Sequence, residues 1–451
     1  MTVRFHARLA LLAAACAASA LAASADYYPP PDSAGGWRAL HDPAQIRKRT
    51  GIDVKRLDQA FEYVKRSSQH GGLLVVRHGW LVYENYFGRC HRDATPAVAS
   101  VSKTFTSLAC GIMLEDKREA IPEGLETKVF TDRFLPAALP LSDPRKADIK
   151  LGHLLAMSSG MYDSNGGTGI VNGEDLKLES VAMDRSIGPD LLALRQPMWA
   201  SPGGGYFYSN QGTNILSMLV HRITGMKMED YLRQKLADPM QLGPWGYVPP
   251  RADAVPPSQE TPGAAGVAIR STDLLRYAYM ILHHGRWGSR QLVPAGYIEL
   301  CAKPSPYNTH SPYSLQFTVN ADGSVAGAPR DAFFKSGAGG FGIYIVPSLD
   351  MVIWKIAGGD RQYEWSPAGL ASSFKYDGSR DRWQPHPSDQ FHDAPIDVDT
   401  GAPDARYGGG GGSRVRADGK RQPAEARFRF DIRLWFRSPG GIGWPAAPEE
   451  S

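Results

Sequence analysis

The chain has 451 residues, enough for one large two-lobed domain or two or three ordinary ones, each with a sizeable core. Its 42% hydrophobic and 21% charged residues are those of a globular protein. The formal charge of +4 drops to +2 once Arg4 and Arg8 leave with a cleaved leader, which gives no reason to expect nucleic acid or another polyanion as partner.

Residues 1–25 read as a secretory signal peptide: Arg4 and Arg8, the apolar run Leu9 to Leu21, and the small-residue site Ala23-Ser24-Ala25 before Asp26. A membrane anchor is the competing reading, but the run is shorter than the roughly 20 residues a spanning helix needs. No later segment could span a bilayer, so the expectation is a periplasmic or secreted protein without stable membrane insertion. Cys16 lacks the nearby leucine of a lipoprotein site. Export leaves Cys90, Cys110 and Cys301, where one disulfide could form but no spacing demands it.

Asp26 to Thr50 is rich in Pro and Gly, a surface wrap. Val54 to Ser67 carries Val54, Leu57, Ala60, Phe61 and Val64 at helical spacing. Leu73 to Val76 and Trp80 to Tyr86 read as a hairpin across His78-Gly79. A helix is expected from Ser100, with Val101, Phe105, Leu108 and Ile112 on its buried face. From about 115 to 270 the chain reads as helix and loop, with a glycine-rich stretch at 165–173. It includes helices at Gln211 to Ile223, ended by Gly225, and at Glu229 to Leu236. Ser271-Thr272-Asp273 reads as the cap of a helix to Leu282. Ser314 to Val319, Ala332 to Lys335, Gly342 to Val346 and Met351 to Ile356 read as strands, the last two joined by the turn Pro347 to Asp350.

Strands at both ends with helices between predict an α+β fold, an antiparallel sheet flanked by helices with an inserted all-α lobe. The domain is expected over 26–376, its sheet lobe at about 50–114 and 271–366 and its helical lobe at about 115–270. Residues 377–451, dense in Asp, Pro, Gly and Arg, read as a low-complexity or disordered tail. Within it Arg427 to Arg437 alternates apolar and mostly Arg positions. It reads as a loosely docked tail in preference to a strand adhering to an anionic envelope surface.

Ser100 and Lys103 are three positions apart, so on a helix their β-carbons lie about 5–6 Å apart and the amine reaches the hydroxyl. A partly desolvated lysine can act as base toward the serine, and a helix start favours negative charge developing there. Ser-x-x-Lys also arises by chance, as at Ser372 to Lys375. Two later stretches separate the pair. Tyr208-Ser209-Asn210 offers a proton relay, if neighbouring cations stabilise its phenolate, and an amide able to bond both Lys103 and a substrate. Lys335-Ser336-Gly337 closes a strand, where the glycine admits a substrate and the N–H of Ala338 faces an oxyanion. Alone, Tyr208 is one of 19 tyrosines, Asn210 a helix cap and Lys335 an edge charge. Tyr83-Glu84-Asn85 lies within a strand before Ser100, and Ser372 is followed by neither partner motif. No cysteine stands in a catalytic-looking context. His283-His284 point apart on a helix and no HExxH occurs, so no metal or other cofactor is expected.

The ordered set resembles the serine β-lactamase and penicillin-binding-protein superfamily, in its class C β-lactamase-like branch. The segments are SVSKTF at 100–105, HLLAMSSGM at 153–161, YFYSNQG at 206–212 and FKSGAGGFG at 334–342, and the match spans roughly 50 to 365. The resemblance implies a β-lactamase/transpeptidase-like fold and an acyl-enzyme serine hydrolase. Ser100 would attack, Lys103 and Tyr208 manage protons, and Asn210 position substrate. Lys335 would support Tyr208 or bind a carboxylate, with Ser336 and Gly337 beside the substrate and the Ser100 and Ala338 amides as oxyanion hole. Partners would be a small molecule or short peptide: a β-lactam, a D-amino-acid peptide, an ester or an amide. The carboxylate-bearing ones are mildly favoured by Lys335. The alternative is a catalytically silent, peptidoglycan-binding envelope protein of the same fold.

Overall fold

The computed structural model describes residues 27–163, 166–181, 184–248 and 258–364. The leader read at 1–25, the second Ser-x-x-Lys at 372–375 and the tail at 377–451 lie outside them.

Strands β1 (Gly71–Arg77) and β2 (Trp80–Phe87) form an antiparallel hairpin whose turn, His78-Gly79, has φ of 52° and 69°. Two successive left-handed residues match the twist that two-residue hairpins require. The remaining sheet strands come late: β3 (Thr318–Val319), β4 (Phe333–Gly337), β5 (Phe341–Val346) and β6 (Met351–Ile356). All neighbours are antiparallel, in the order β3-β4-β5-β6-β1-β2. The closing pair is β1 with β6, from Gly72 opposite Ile356 to Arg77 opposite Met351. The ends of the domain are thus fused into one sheet.

Both faces of that sheet are covered, which is why β1, β5 and β6 read as nearly continuous apolar runs. Helix α1 (Val54–Arg66) lays Leu57, Ala60 and Val64 on the face carrying Leu73, Val75 and Ile353. Helices α2 (Ser102–Asp116) and α4 (Ser271–Leu282) cover the other face, over Leu74, Val76, Val352 and Trp354. Helix α3 (Asn210–Thr224), ended by Gly225 at φ 78°, packs against α2 from the intervening lobe. Among the described residues no helix is long and apolar enough to cross a membrane.

Several expectations are corrected. Ser100 lies in a 3₁₀ turn, Ala99–Val101, entered from Ala99 at φ 47°, and the α-helix starts at Ser102. The lobe between is not all-α. A hairpin of Gly167–Val171 and Glu174–Leu178 pairs with Tyr206–Phe207, and Trp245–Tyr247 pairs with Val267–Ile269. The first hairpin turns on Asn172-Gly173, φ 50° and 81°, in a glycine-rich stretch whose short strands carry little apolar alternation. Strand β3 keeps only two residues of 314–319, because Gln316, at φ 66°, turns its buried amide to the carbonyls of Leu154 and Leu155. The helix at Glu229 to Leu236 is α-helical at Met228–Leu232 and widens into a π turn at Arg233–Ala237. Helix α4 has no side-chain cap. Ser271 accepts from the Trp354 indole, and Asp273 is bonded by Arg270 and Arg276. All three cysteines are buried and free, so no disulfide forms among them.

Gly111 in α2 faces the buried ring of Tyr297, which a Cβ would overlap, and the Tyr297 hydroxyl is tied to Ser107 Oγ at 3.0 Å. Gly111→Ala should therefore destabilise the protein by about 1–3 kcal/mol, read from urea unfolding.

Candidate active site

The turn before α2 is held from two sides. Ala97 N–H donates to the Gln362 carbonyl and Val98 N–H to the Val267 carbonyl, each at 2.8 Å. Ala99, a non-glycine residue in the left-handed region, then presents Ser100, half-buried, at the start of the helical segment. One turn on, Lys103 has no exposed surface. Its ammonium donates to Ser100 Oγ at 3.1 Å, to Asn210 Oδ1 at 2.7 Å and to the Ala264 carbonyl at 2.7 Å. Its three N–H donors each have an acceptor, so a charge that would be very costly to bury bare is accommodated.

Each acceptor is itself fixed. The carbonyl of Gly263 accepts from Thr106 Oγ1, and the N–H of Ala264 donates to Asn214 Oδ1. Gly263 is packed so closely on the Thr213 carbonyl that a Cβ would overlap it. Asn210 opens α3. Ser209 Oγ caps Gly212 N–H, and the buried carboxylate of Asp163 accepts from Asn210 N–H at 2.8 Å and Gln211 N–H at 3.3 Å. A carboxylate on orphan amides at the positive end of the helix dipole fixes where the helix starts, and so where the Asn210 side chain goes.

Tyr208, half-buried, lies close to two cations: Lys103 Nζ is 4.9 Å and Lys335 Nζ 4.5 Å from its ring centroid. Lys335 comes from β4, is 1% exposed, and donates to the hydroxyl of Tyr313 at 3.0 Å. The Tyr313 ring stands edge-on to Tyr208 with centroids 6.3 Å apart. Gly337, two residues on, packs on the serine turn. A Cβ there would lie 2.8 Å from the Val98 carbonyl oxygen and 3.2 Å from Ser100 N, so only glycine lets strand and turn approach this closely. Ala338 follows, exposed, in a turn completed by Gly339 and Gly340 at φ 84° and 98°. Ser336 occupies the alternate, half-buried position of the strand between Lys335 and Gly337.

The structure thus brings Ser100, Lys103, Tyr208, Asn210, Lys335 and Gly337 together, with Ala338 at the rim. It separates Tyr83-Glu84-Asn85 from them: Tyr83 bonds Asp58 of α1 and packs in the cluster on the other face of the sheet. His153, in the second quoted segment, stays out of the cluster. Burial pushes its imidazole down to about 4, and Nδ1 accepts from Lys150 N–H. Four contributors have no motif in the sequence: Tyr313, Asp163, the Ala264 carbonyl and Gln362. Among the described residues no group of three or more His, Cys, Asp or Glu side chains could hold a metal ion.

Tyr313→Phe removes one acceptor from a buried ammonium. We expect a loss of about 1–3 kcal/mol in urea unfolding, with the fold retained by circular dichroism.

The sequence matches the profile of the Beta-lactamase family over residues 57–355. Penicillin-binding protein 4* of Bacillus subtilis (strain 168) is 27% identical over 191 residues, covering 40% of this chain and 39% of that protein. The match thus spans well under half of that relative's length. Among solved structures, a protein of Bacteroides dorei DSM 17855, provisionally assigned as a β-lactamase, gives a TM-score of 0.54 at 18% identity, covering 68% of this chain and 91% of that one. EstCE1, a hydrolase with promiscuous acyltransferase activity, gives 0.53 at 18% identity, covering 67% and 93%. At such identities the two structures speak for the fold, and the profile for kinship. The chain belongs to the Beta-lactamase family, within the superfamily of serine β-lactamases and penicillin-binding proteins.

Proposed function

We propose that the chain is an exported serine hydrolase of the class C-like branch, cleaving an amide or ester through an acyl-enzyme on Ser100. The observation that carries this reading is the fully buried Lys103 ammonium 3.1 Å from Ser100 Oγ, bonded also to Asn210. In the reaction Ser100 Oγ bonds to the carbonyl carbon while its proton passes to the Lys103–Tyr208 pair. The same proton goes to the leaving amine or alkoxide as that bond breaks. Water then attacks the acyl carbon, giving its proton through the same pair to Ser100 Oγ as the acyl carbon–Oγ bond breaks and the acid is released. Two ammonium groups close to Tyr208 support a role for its phenolate as base. The N–H groups of Ser100 and Ala338 would receive the oxyanion.

Lys335 is buried and already engaged by Tyr313 and the Tyr208 ring. That favours support of Tyr208 over direct capture of a substrate carboxylate, and it removes the reason to prefer carboxylate-bearing substrates. Nitrocefin, a D-Ala-D-Ala peptide, short-chain p-nitrophenyl esters and a small amide then form the panel that assigns the substrate class. Export rests on residues 1–25; expression in a Gram-negative host should yield periplasmic or secreted protein whose N-terminus is Asp26.

Ser100→Ala should abolish hydrolysis across the panel and labelling by a fluorophosphonate. Lys103→Ala and Tyr208→Phe should each lower kcat by about 10²–10⁴-fold. Hydrolysis that survives Ser100→Ala would overturn the proposal. Tight peptidoglycan binding by the wild-type chain without turnover or labelling would establish a silent binding protein instead.

A further inference from the structure

The two backbone donors assigned to the oxyanion belong to different parts of the chain, Ser100 to the turn before α2 and Ala338 to the turn after β4. One segment touches both turns: Ala357 to Tyr363, which leaves β6. On one side the Gln362 carbonyl accepts from Ala97 N–H at 2.8 Å, three residues before Ser100. On the other, Gly358 lies against the glycine turn after Ala338: a Cβ on Gly339 would lie 3.2 Å from Gly358 Cα. The segment is braced internally by Gln362 Oε1 accepting from Gly359 N–H and by the Tyr363 hydroxyl donating to the Ala357 carbonyl, each at 2.9 Å.

Asp360 anchors this segment to the open end of the β1–β2 hairpin. Its carboxylate accepts from His70 Nε2 at 2.8 Å, Arg89 Nη1 at 3.0 Å and Gln69 Nε2 at 3.3 Å. His70 is itself oriented: Nδ1 accepts from Arg89 N–H at 3.1 Å, which leaves the proton on Nε2, pointing at Asp360. His70 N–H and Ser68 Oγ bond the Gly358 carbonyl, and Gly358 N–H returns a bond to Ser68 Oγ. The hydrogen bond from His70, with those from Arg89 and Gln69, holds the Asp360 carboxyl down to about 2, so the clamp stays charged at working pH.

We propose that Asp360 is a positioning residue: by clamping Ala357 to Tyr363 to Gln69, His70 and Arg89, it sets the spacing of the Ser100 and Ala338 N–H groups. The inference rests on the acyl-enzyme reading of Ser100. It is tested on the full chain with Asp360→Ala and Asp360→Asn, using the panel substrate the wild type turns over and phenylboronic acid. The boronate forms a tetrahedral adduct on Ser100 and so probes the oxyanion site apart from substrate binding. Displacing a donor should lower kcat by about 10- to 100-fold. KM should move less than about threefold, and the boronate inhibition constant should rise in step with the loss in kcat/KM. Asp360→Asn, which keeps an acceptor, should recover part of both. A folded Asp360→Ala with wild-type kcat and boronate affinity overturns the inference, as does a loss of kcat with boronate affinity unchanged. If Asp360→Ala unfolds at the assay temperature, Arg89→Ala, which removes one half-exposed anchor, decides by the same criteria with a smaller effect. Wild-type turnover that survives Ser100→Ala overturns the acyl-enzyme reading itself and this inference with it.

Discussion

The arrangement depends on one buried ammonium. Lys103 is wholly removed from water, and a charge in that position is tolerable only when every donor is matched. Its acceptors come from three places: a hydroxyl one helical turn before it, an amide at the start of α3, and a backbone carbonyl in the loop before Val267. Satisfying the charge therefore brings three chain segments to one point. Those segments carry further bonds of their own: the first α3 amides donate to Asp163, Thr106 donates to the Gly263 carbonyl, and Ala264 N–H donates to Asn214. The polar centre is a junction rather than a decoration on a finished fold.

The sheet supplies the second cation and the second wall. Pairing of β1 with β6 joins the two ends of the domain, and β4 then delivers Lys335 and Gly337 on the side facing α2. Lys335 needs an acceptor for the same reason Lys103 does, and Tyr313 provides one. Both lysines place positive charge near the centre of the Tyr208 ring, at 4.9 and 4.5 Å. Its π-face is attracted to them as a neutral ring, and a phenolate there would be attracted more strongly. Gly337 matters by what it lacks: without a Cβ, the strand end reaches the amide of Ser100.

Much of this was legible because the signals are local. Ser100 and Lys103 are three residues apart, Tyr208 and Asn210 two, Lys335 and Gly337 two, and each spacing has a meaning within one turn or strand. The hairpin at β1 and β2, the helix ended by Gly225 and the paired strands β5 and β6 follow from turn residues and periodicity in the same way. The Asn172-Gly173 hairpin was equally local, yet its short, largely exposed strands lack the apolar alternation that marks a strand. What had no local signal was the support. Tyr313 meets Lys335 across 22 positions, Asp163 meets Asn210 across 47, and the Ala264 carbonyl meets Lys103 across 161. A carbonyl is present at every residue, so no side chain advertises that one of them will hold a buried lysine.

The sequence by itself determined the class of fold and marked the polar residues that the fold gathers. A serine, two lysines, a tyrosine and an asparagine in that order and spacing admit few other workable uses, and apolar runs at both ends around a helical middle imply a shared sheet. Only the tertiary structure decided between the readings each residue left open. It showed that Lys335 is turned inward to Tyr208 and Tyr313, that Tyr83 belongs to the opposite face, that the cysteines stay apart and that Ser100 sits on a strained 3₁₀ turn. The reason is physical: burial, face and the partner of a buried charge depend on which distant segment arrives alongside, and local spacing carries no information about that.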